Sequence, residues 1–319
     1  MIVITGGAGF IGSNLINHII NQKEYKVASI DWHTKKNDSY FSDKNFKKIE
    51  PKNLDLFLDK YLNEISIIVH LGAITSTTER NLNLIIENNI DLSLKLWKWC
   101  ISKKKRFIYA SSAATYGSGE NGFDDSHNDK NLSNLIPLNL YGWSKHTIDR
   151  FIWNQKKMSP IQCVGLKFFN VYGPNEFHKN EMKSIILKIY EKIQSNQIVK
   201  LFKSHDPGYA DGEQLRDFVY VKDIINVIYW FIKKPKSSGL FNVGSSVPRS
   251  FNDLAIHVYR NCNKKQNIQY TPTPYSIRDQ YQYYTKANIS KLRKVGYKRD
   301  FYSLEEGIDD YISNFLRKI

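Results

Sequence analysis

The sequence predicts an α/β protein: a Rossmann-type, doubly wound parallel sheet with a smaller C-terminal substrate-binding lobe. Three observations carry that reading. Apolar, β-branched runs alternate with helix-period segments through the first half of the chain, as strands joined by right-handed helical crossovers do. The first run, Ile2-Val3-Ile4, leads straight into the glycine-rich stretch Thr5-Gly6-Gly7-Ala8-Gly9-Phe10-Ile11-Gly12. After Phe168 the alternation stops, and turn formers mixed with amphipathic helices take over.

The elements follow in order. Ile2-Val3-Ile4 reads as a central buried strand, and Ile11, Leu15 and Ile19 recur at helical spacing behind it. Val27-Ala28-Ser29-Ile30 is a second strand ending in Asp31, and residues 65–70 form a third, followed by Leu71-Gly72-Ala73. Residues 79–103 read as one long helix, residues 106–110 as a fourth strand ending in Ser111-Ser112, residues 140–155 as a helix, and residues 164–168 as a fifth strand. Beyond it, residues 170–174 are turn-like and residues 181–195 amphipathic. Residues 204–214 form a polar loop, and residues 222–233 and 251–261 are helical. Residues 1–168 are therefore expected to form a dinucleotide-binding domain to which 214–233 return, with 169–319 mainly the substrate-binding lobe.

Bulk composition narrows the function classes. A chain of 319 residues holds one large domain or two lobes sharing a core. The net charge of +15 is spread over scattered clusters such as Lys103-Lys104-Lys105 and Lys233-Lys234 and matches no nucleic-acid module. It is read as solvated surface with some attraction for an anionic nucleotide-sugar, and no nucleic-acid partner is expected. No run approaches the roughly 18 apolar residues of a membrane span. The first strand stands at the N-terminus and leaves no room for a signal peptide, so a cytoplasmic protein is expected. Cys100, Cys163 and Cys262 have neither disulfide nor metal-site spacing, and no metal is expected.

The chemistry lies in two motifs. The glycine turn lets backbone N–H groups meet a pyrophosphate at a helix N-terminus, and Asp31 stands where a ribose hydroxyl would be held. Tyr141-Gly142-Trp143-Ser144-Lys145 places a phenol and an ammonium on one helical face. A free tyrosine is a poor base at neutral pH, but a neighbouring lysine and an oxidised nicotinamide ring favour the phenolate. Lys145 can also hold the nicotinamide ribose. Ser112 is the hydroxyl expected to orient the substrate oxygen, with Ser111 and Thr115 as alternatives.

The spacing of Gly6, Gly9 and Gly12 resembles the opening of extended short-chain dehydrogenase/reductases. A narrower resemblance lies in Tyr109-Ala110-Ser111-Ser112-Ala113-Ala114-Thr115-Tyr116-Gly117, in Ser76-Thr77-Thr78-Glu79, and in Phe169-Asn170-Val171-Tyr172-Gly173-Pro174. His178-Lys179 and Arg216-Asp217-Phe218-Val219-Tyr220-Val221 extend it. These stretches are similar to the ADP-L-glycero-D-manno-heptose 6-epimerase family over nearly the whole chain. That resemblance implies inversion at C6 of an ADP-linked heptose for lipopolysaccharide core. It would proceed through a 6-ketone, with hydride taken and returned by one bound NADP. It also implies a homo-oligomer, typically a pentamer. Tyr141 and Lys179 would be the two acid/base groups.

By matching position, the cofactor set adds Phe10, Ile11, Asp31 with Trp32, Leu71, Gly72, Ala73, Ile74, Thr75, Asn88, Val171 and Lys179 to the glycines and Lys145. The substrate set is Ser112, Asn170, Glu181, Lys188, Phe202, Lys203, Ser204, His205, Arg216 and Tyr281. Arg216 suits a diphosphate, since a guanidinium binds two oxygens at once. The chain departs from the family at Asn180-Glu181, where Gly-Ser is common, at Lys188, where some members have histidine, and at Trp32, where the expected loop is shortened. Lys35 and Lys36 suit a 2′-phosphate, while Asp31 is compatible with NAD. The alternative is another nucleotide-sugar epimerase or a 4,6-dehydratase. A dehydratase places an acidic pair just after the catalytic serine or threonine, where this chain has Ala113-Ala114. A non-catalytic NADP-binding protein is opposed by the intact Ser112, Tyr141 and Lys145.

Overall fold

A computed structural model of the chain describes residues 1–43, 45–125, 129–155, 158–278 and 281–318. Its centre is a seven-stranded sheet, parallel throughout. Six strands come from the first half: β1 (Ile2–Thr5), β2 (Val27–Ile30), β3 (Lys47–Ile49), β4 (Ile67–His70), β5 (Arg106–Ser112) and β6 (Cys163–Phe168). The seventh, Gly239–Val243, comes from the stretch that the sequence reading gives mainly to the second lobe; it lies beside β6 with Phe241 opposite Leu166. From that edge the order runs through β6, β5, β4, β1 and β2 to β3. β1, β2 and β4 are buried along their whole length, which explains why they read as continuous apolar runs rather than alternating ones. Edge strand β3 carries Lys47 and Lys48 and gives no such signal.

The chain direction across the sheet reverses between β1 and β4. Right-handed crossovers therefore put helices on both faces and open a crevice at the C-terminal ends of those two strands. Phe10–Gln22 packs against Val221–Lys233, and Leu82–Ile85 packs against Leu140–Asn154. The helix expected over 79–103 begins at Leu82, where the Asn81 side chain caps Leu84 N, and ends at Ser102. It widens into π-type turns over Ile86–Asp91.

Two further differences lie in the second half. Asn170–Tyr172, read as a turn, is a short strand paired in parallel with Phe218–Tyr220. A C-terminal helix, Leu304–Asn314, has a full capping box from Ser303 and Glu306. Among the described residues no helix is long and apolar enough to cross a membrane, and no His/Cys/Asp/Glu cluster suits a metal ion. The three cysteines are free.

Candidate active site

The glycine turn is shaped by close backbone approach. Gly6 has φ +69°, and a Cβ there would stand 2.6 Å from Gly72 N, so the turns after β1 and β4 touch. A Cβ on Gly12 would lie 2.1 Å from Gly6 O, which is why the helix can start so close to the strand. The Phe10–Gln22 helix has Gly9 at its N-cap, no capping side chain and no acidic residue in its first turn. Its leading N–H groups therefore form a donor set suited to a dinucleotide pyrophosphate. Asp31 adjoins it: Ala8 N donates to Oδ2 at 2.9 Å and Trp32 N to Oδ1 at 2.8 Å. The Trp32 indole is exposed. The side chains of Lys35 and Lys36, the candidate phosphate grip, lie outside the described residues, as does that of Asn180.

The turn after β4 is wired to the tyrosine helix. His70, fully buried, lies 2.6 Å from Thr5 Oγ1 through Nδ1 and 2.8 Å from Ser93 Oγ through Nε2. Ser93 spends its own proton on Asn89 O at 2.5 Å, so Nε2 carries the histidine hydrogen and Nδ1 accepts from Thr5. Burial holds the His70 imidazole neutral, pushed down to about 3. Asn89 then ties the loop down, accepting from Ile74 N at 2.7 Å and donating to Ile74 O at 2.9 Å and Ser144 Oγ at 3.0 Å. Asn88, the residue matched by resemblance, donates to Leu84 O within its own helix. Asn89 has no sequence motif and emerges only from this contact.

Ser112 closes β5, and its hydroxyl accepts from Ala114 N at 3.1 Å and hydrogen-bonds the Tyr141 phenol. Its two alternatives point inward. Ser111 donates to Asp149 Oδ2 at 2.6 Å, and Thr115 donates to Ser112 O at 2.8 Å. Tyr141 and Lys145 sit one turn apart on the Leu140–Asn154 helix, which Asn139 caps by accepting from Gly142 N at 2.8 Å. Burial raises the Tyr141 phenol above its ordinary range; the Ser112 hydrogen bond opposes this, and the Asp149 carboxylate reinforces it. Lys145 is 4 % exposed, and burial lowers it to about 8 against the pull of Asp149. Its ammonium, 6.0 Å from the Tyr141 ring centre, bonds no acceptor among the described residues. A buried cation with no acceptor among the described residues fits the hydroxyls of a nicotinamide ribose.

Lys179 stands by the start of the Phe10–Gln22 helix and comes from a different element. It lies on the short helical segment Phe177–Met182, and its Nζ stands 5.3 Å from the Phe10 ring centre. Burial lowers its basicity while the Glu176 carboxylate opposes that. Glu181 and Lys188 meet each other at the surface, with Lys188 Nζ 3.4 Å from Glu181 Oε2. Asn170 is exposed, and its N–H donates to Asp217 O; Val171 pairs with Val219.

A second cluster is aromatic. The buried Arg216 guanidinium lies 5.2 Å from the Tyr281 ring centre and 5.7 Å from that of Phe251, while Phe202 packs against Tyr281 at 6.0 Å. Arg216 also donates to Leu215 O and Gln282 O. Lys203 is exposed. Ser204 donates to Asp206 O at 2.7 Å, and His205 accepts from Thr273 N at 3.1 Å, so both are partly spent on shaping their loop.

This geometry has known counterparts. The NAD dependent epimerase/dehydratase family matches residues 2–244. An ADP-L-glycero-D-manno-heptose-6-epimerase of Fusobacterium nucleatum is 40% identical, covering 100% of this chain and 98% of its own. The enzyme of the same name from Nitratidesulfovibrio vulgaris is 38% identical, over 99% and 98%. Among solved structures, Helicobacter pylori ADP-L-glycero-D-manno-heptose-6-epimerase superposes with a TM-score of 0.78 at 32% identity, covering 98% of this chain and 95% of that one. UDP-N-acetylglucosamine 4-epimerase from Methanobrevibacter ruminantium superposes with 0.84 at 25% identity, over 100% and 98%.

Proposed function

Since the chain belongs to the NAD dependent epimerase/dehydratase family, we propose that it interconverts ADP-D-glycero-D-manno-heptose and ADP-L-glycero-D-manno-heptose by inverting C6, supplying heptose for lipopolysaccharide core. The observation that carries this reading is Lys179. The C6 oxygen lies on opposite sides in the two epimers, so inversion calls for proton-handling groups from two directions. Tyr141 and Lys179 are carried by different elements, one beside Ser112 and one beside Phe10, which supports the reading.

The chemistry the nicotinamide supplies when bound is reversible oxidation of the C6 carbinol to a ketone. This chain's residues do the rest. Ser112 orients the substrate oxygen, and Tyr141 moves the hydroxyl proton in one epimer. Lys179 moves it in the other, helped by the burial that lowers its basicity. Lys145 holds the ribose and favours the phenolate. Arg216, buried among aromatics, takes the diphosphate with Phe202 and Tyr281 beside it. Asn170, Glu181, Lys188, Lys203, Ser204 and His205 complete the substrate contacts. The dinucleotide is NADP: Asp31 spends both carboxylate oxygens on backbone N–H groups, which tempers the repulsion a 2′-phosphate would meet. The same reading extends to a homo-oligomer, a pentamer, in the cytoplasm.

Incubation with ADP-D-glycero-D-manno-heptose, followed by proton NMR, should show inversion at C6 without net consumption of NADP. Turnover of a UDP- or GDP-hexose with no inversion of the heptose would replace this reading with another nucleotide-sugar reaction. Parallel titrations with NADP and NAD, read by tryptophan fluorescence, decide the dinucleotide, and sedimentation decides the subunit number.

A further inference from the structure

A fully buried ion pair links the Ser112 turn to the helix that carries Tyr141 and has no part in the proton transfers above. Lys167, near the C-terminal end of β6, and Asp149, two turns beyond Tyr141, both have side chains sealed from solvent, with Nζ 3.3 Å from Oδ2. Around them lies a hydrogen-bond network. Tyr109 donates to Asp149 Oδ1 at 3.0 Å and Ser111 to Oδ2 at 2.6 Å, both from β5. Lys167 donates to Thr115 Oγ1 at 2.6 Å and lies 4.4 Å from the Tyr116 ring centre. Thr115 in turn donates to Ser112 O at 2.8 Å. One carboxylate thus fastens the tyrosine helix to β5, and one ammonium fastens β6 to the turn that carries Ser112.

We propose that the Lys167–Asp149 pair is the positioning element of the site: it holds the Ser112 turn and the Tyr141–Lys145 helix face in one frame and cancels the charge of a carboxylate that acts on the phenol. A lone apolar contact could do the first task but not the second. Burying a charge pair here is expensive in desolvation, and losing one partner strands the other in a low-dielectric interior. The remaining charged or titratable groups facing the pair are Asp125, set against Lys167, His146 and Lys145 on the helix itself, and Cys163 on β6. Of the carboxylates, Asp149 is the one that acts on the phenol, and it acts to raise it.

The inference rests on Tyr141 as the proton-moving group, and a charge test separates it from plain packing. Lys167→Met leaves the Asp149 carboxylate uncompensated, so the Tyr141 ionisation should move up by about one pH unit. Asp149→Asn leaves a bare ammonium, and the ionisation should move down. The double variant removes both charges and should return to the wild-type position. Two readouts follow it: the pH profile of kcat, and the tyrosinate absorbance of each protein minus that of its Tyr141→Phe counterpart, taken without sugar. Lys167→Met should also lower kcat about tenfold, with KM within about twofold, and the double variant should recover part of that loss. Single variants that both titrate as wild type would overturn the proposal, as would a double variant no better than Lys167→Met. If Lys167→Met does not fold, the double variant decides alone: an ionisation displaced from wild type overturns the charge role. A wild-type protein that leaves the heptose unchanged would remove the proposed reaction while leaving the absorbance arm to judge the pair.

Discussion

Tyr141 and Lys179, the two groups proposed to move protons, are held by different means. Tyr141 rides on a 15-residue helix with an asparagine cap, and its companions Lys145 and Asp149 follow at four-residue intervals on one face. Lys179 rides on a six-residue helical segment with no periodic pattern of its own. That segment hangs from Glu176, fully buried, whose carboxylate accepts from Gly173 N at 3.3 Å, Ser184 N at 2.5 Å, Ser184 Oγ at 2.7 Å and Tyr311 Oη at 3.2 Å. Two nearby backbone segments and the distant C-terminal helix meet on that one side chain. The lesson is that a polar side chain can be placed by local helical repeat or by a polar clamp, and only the first leaves a readable spacing.

The largest expected effect tests the helical side. Tyr141→Phe should lower kcat/KM by about 10²–10⁴-fold, the range for losing a general acid/base, with the melting temperature unchanged. Lys179→Met should cost about 10²-fold if inversion needs a second base. Near-normal turnover in that variant would collapse the comparison to one proton-moving group.

The clamp comes next. Glu176→Gln puts an amide N–H where Ser184 N–H now donates, and kcat should fall about tenfold while dinucleotide binding, read by fluorescence, holds. Tyr311→Phe removes one donor from the same carboxylate at a distance from substrate. It should cost about 1 kcal/mol in urea unfolding and only a few-fold in rate. A rate loss as large as that of Lys179→Met would mean that the C-terminal helix acts on the site by more than the clamp.

The last effect is absent from activity at neutral pH and shows only in acid stability. His70 titrates near 6.5 when unfolded and at about 3 when buried, so between those values the unfolded chain binds a proton that the native state refuses. Its contribution to stability is whole above pH 6.5 and is lost as the pH falls, with a limiting slope of about 1.4 kcal/mol per pH unit. His70→Gln should flatten that part of the stability profile; an unchanged slope would place the acid sensitivity elsewhere.

Much of the dinucleotide side was legible because its signals are local. Gly6, Gly9 and Gly12 mark a turn that only small residues fit, and β1, β2 and β4 are continuous apolar runs because both faces of a parallel sheet are covered. β3 escaped notice because an edge strand carrying lysines gives no such run. The Gly239–Val243 strand was not read because it lies just beyond the 214–233 return, in a stretch given mainly to the second lobe. Asn170–Tyr172 resembled a turn because its partner, Phe218–Tyr220, lies far along the chain. Ser112 was separable from Ser111 and Thr115 only after folding, since all three are hydroxyls on one short stretch and burial decides which of them Asp149 and Lys167 claim.

The order of residues alone determined the doubly wound sheet, the glycine turn and the shared helical face of Tyr141 and Lys145, because each follows from covalent spacing and strand or helix period. Tertiary structure alone decided that Asn89 rather than its neighbour ties Ile74 to Ser144, that Glu176 suspends the Lys179 segment, and that Lys167 meets Asp149. Those contacts join residues from distant segments. Hydrogen bonds and ion pairs form where folding leaves buried donors and acceptors facing each other, and no period along the chain records that.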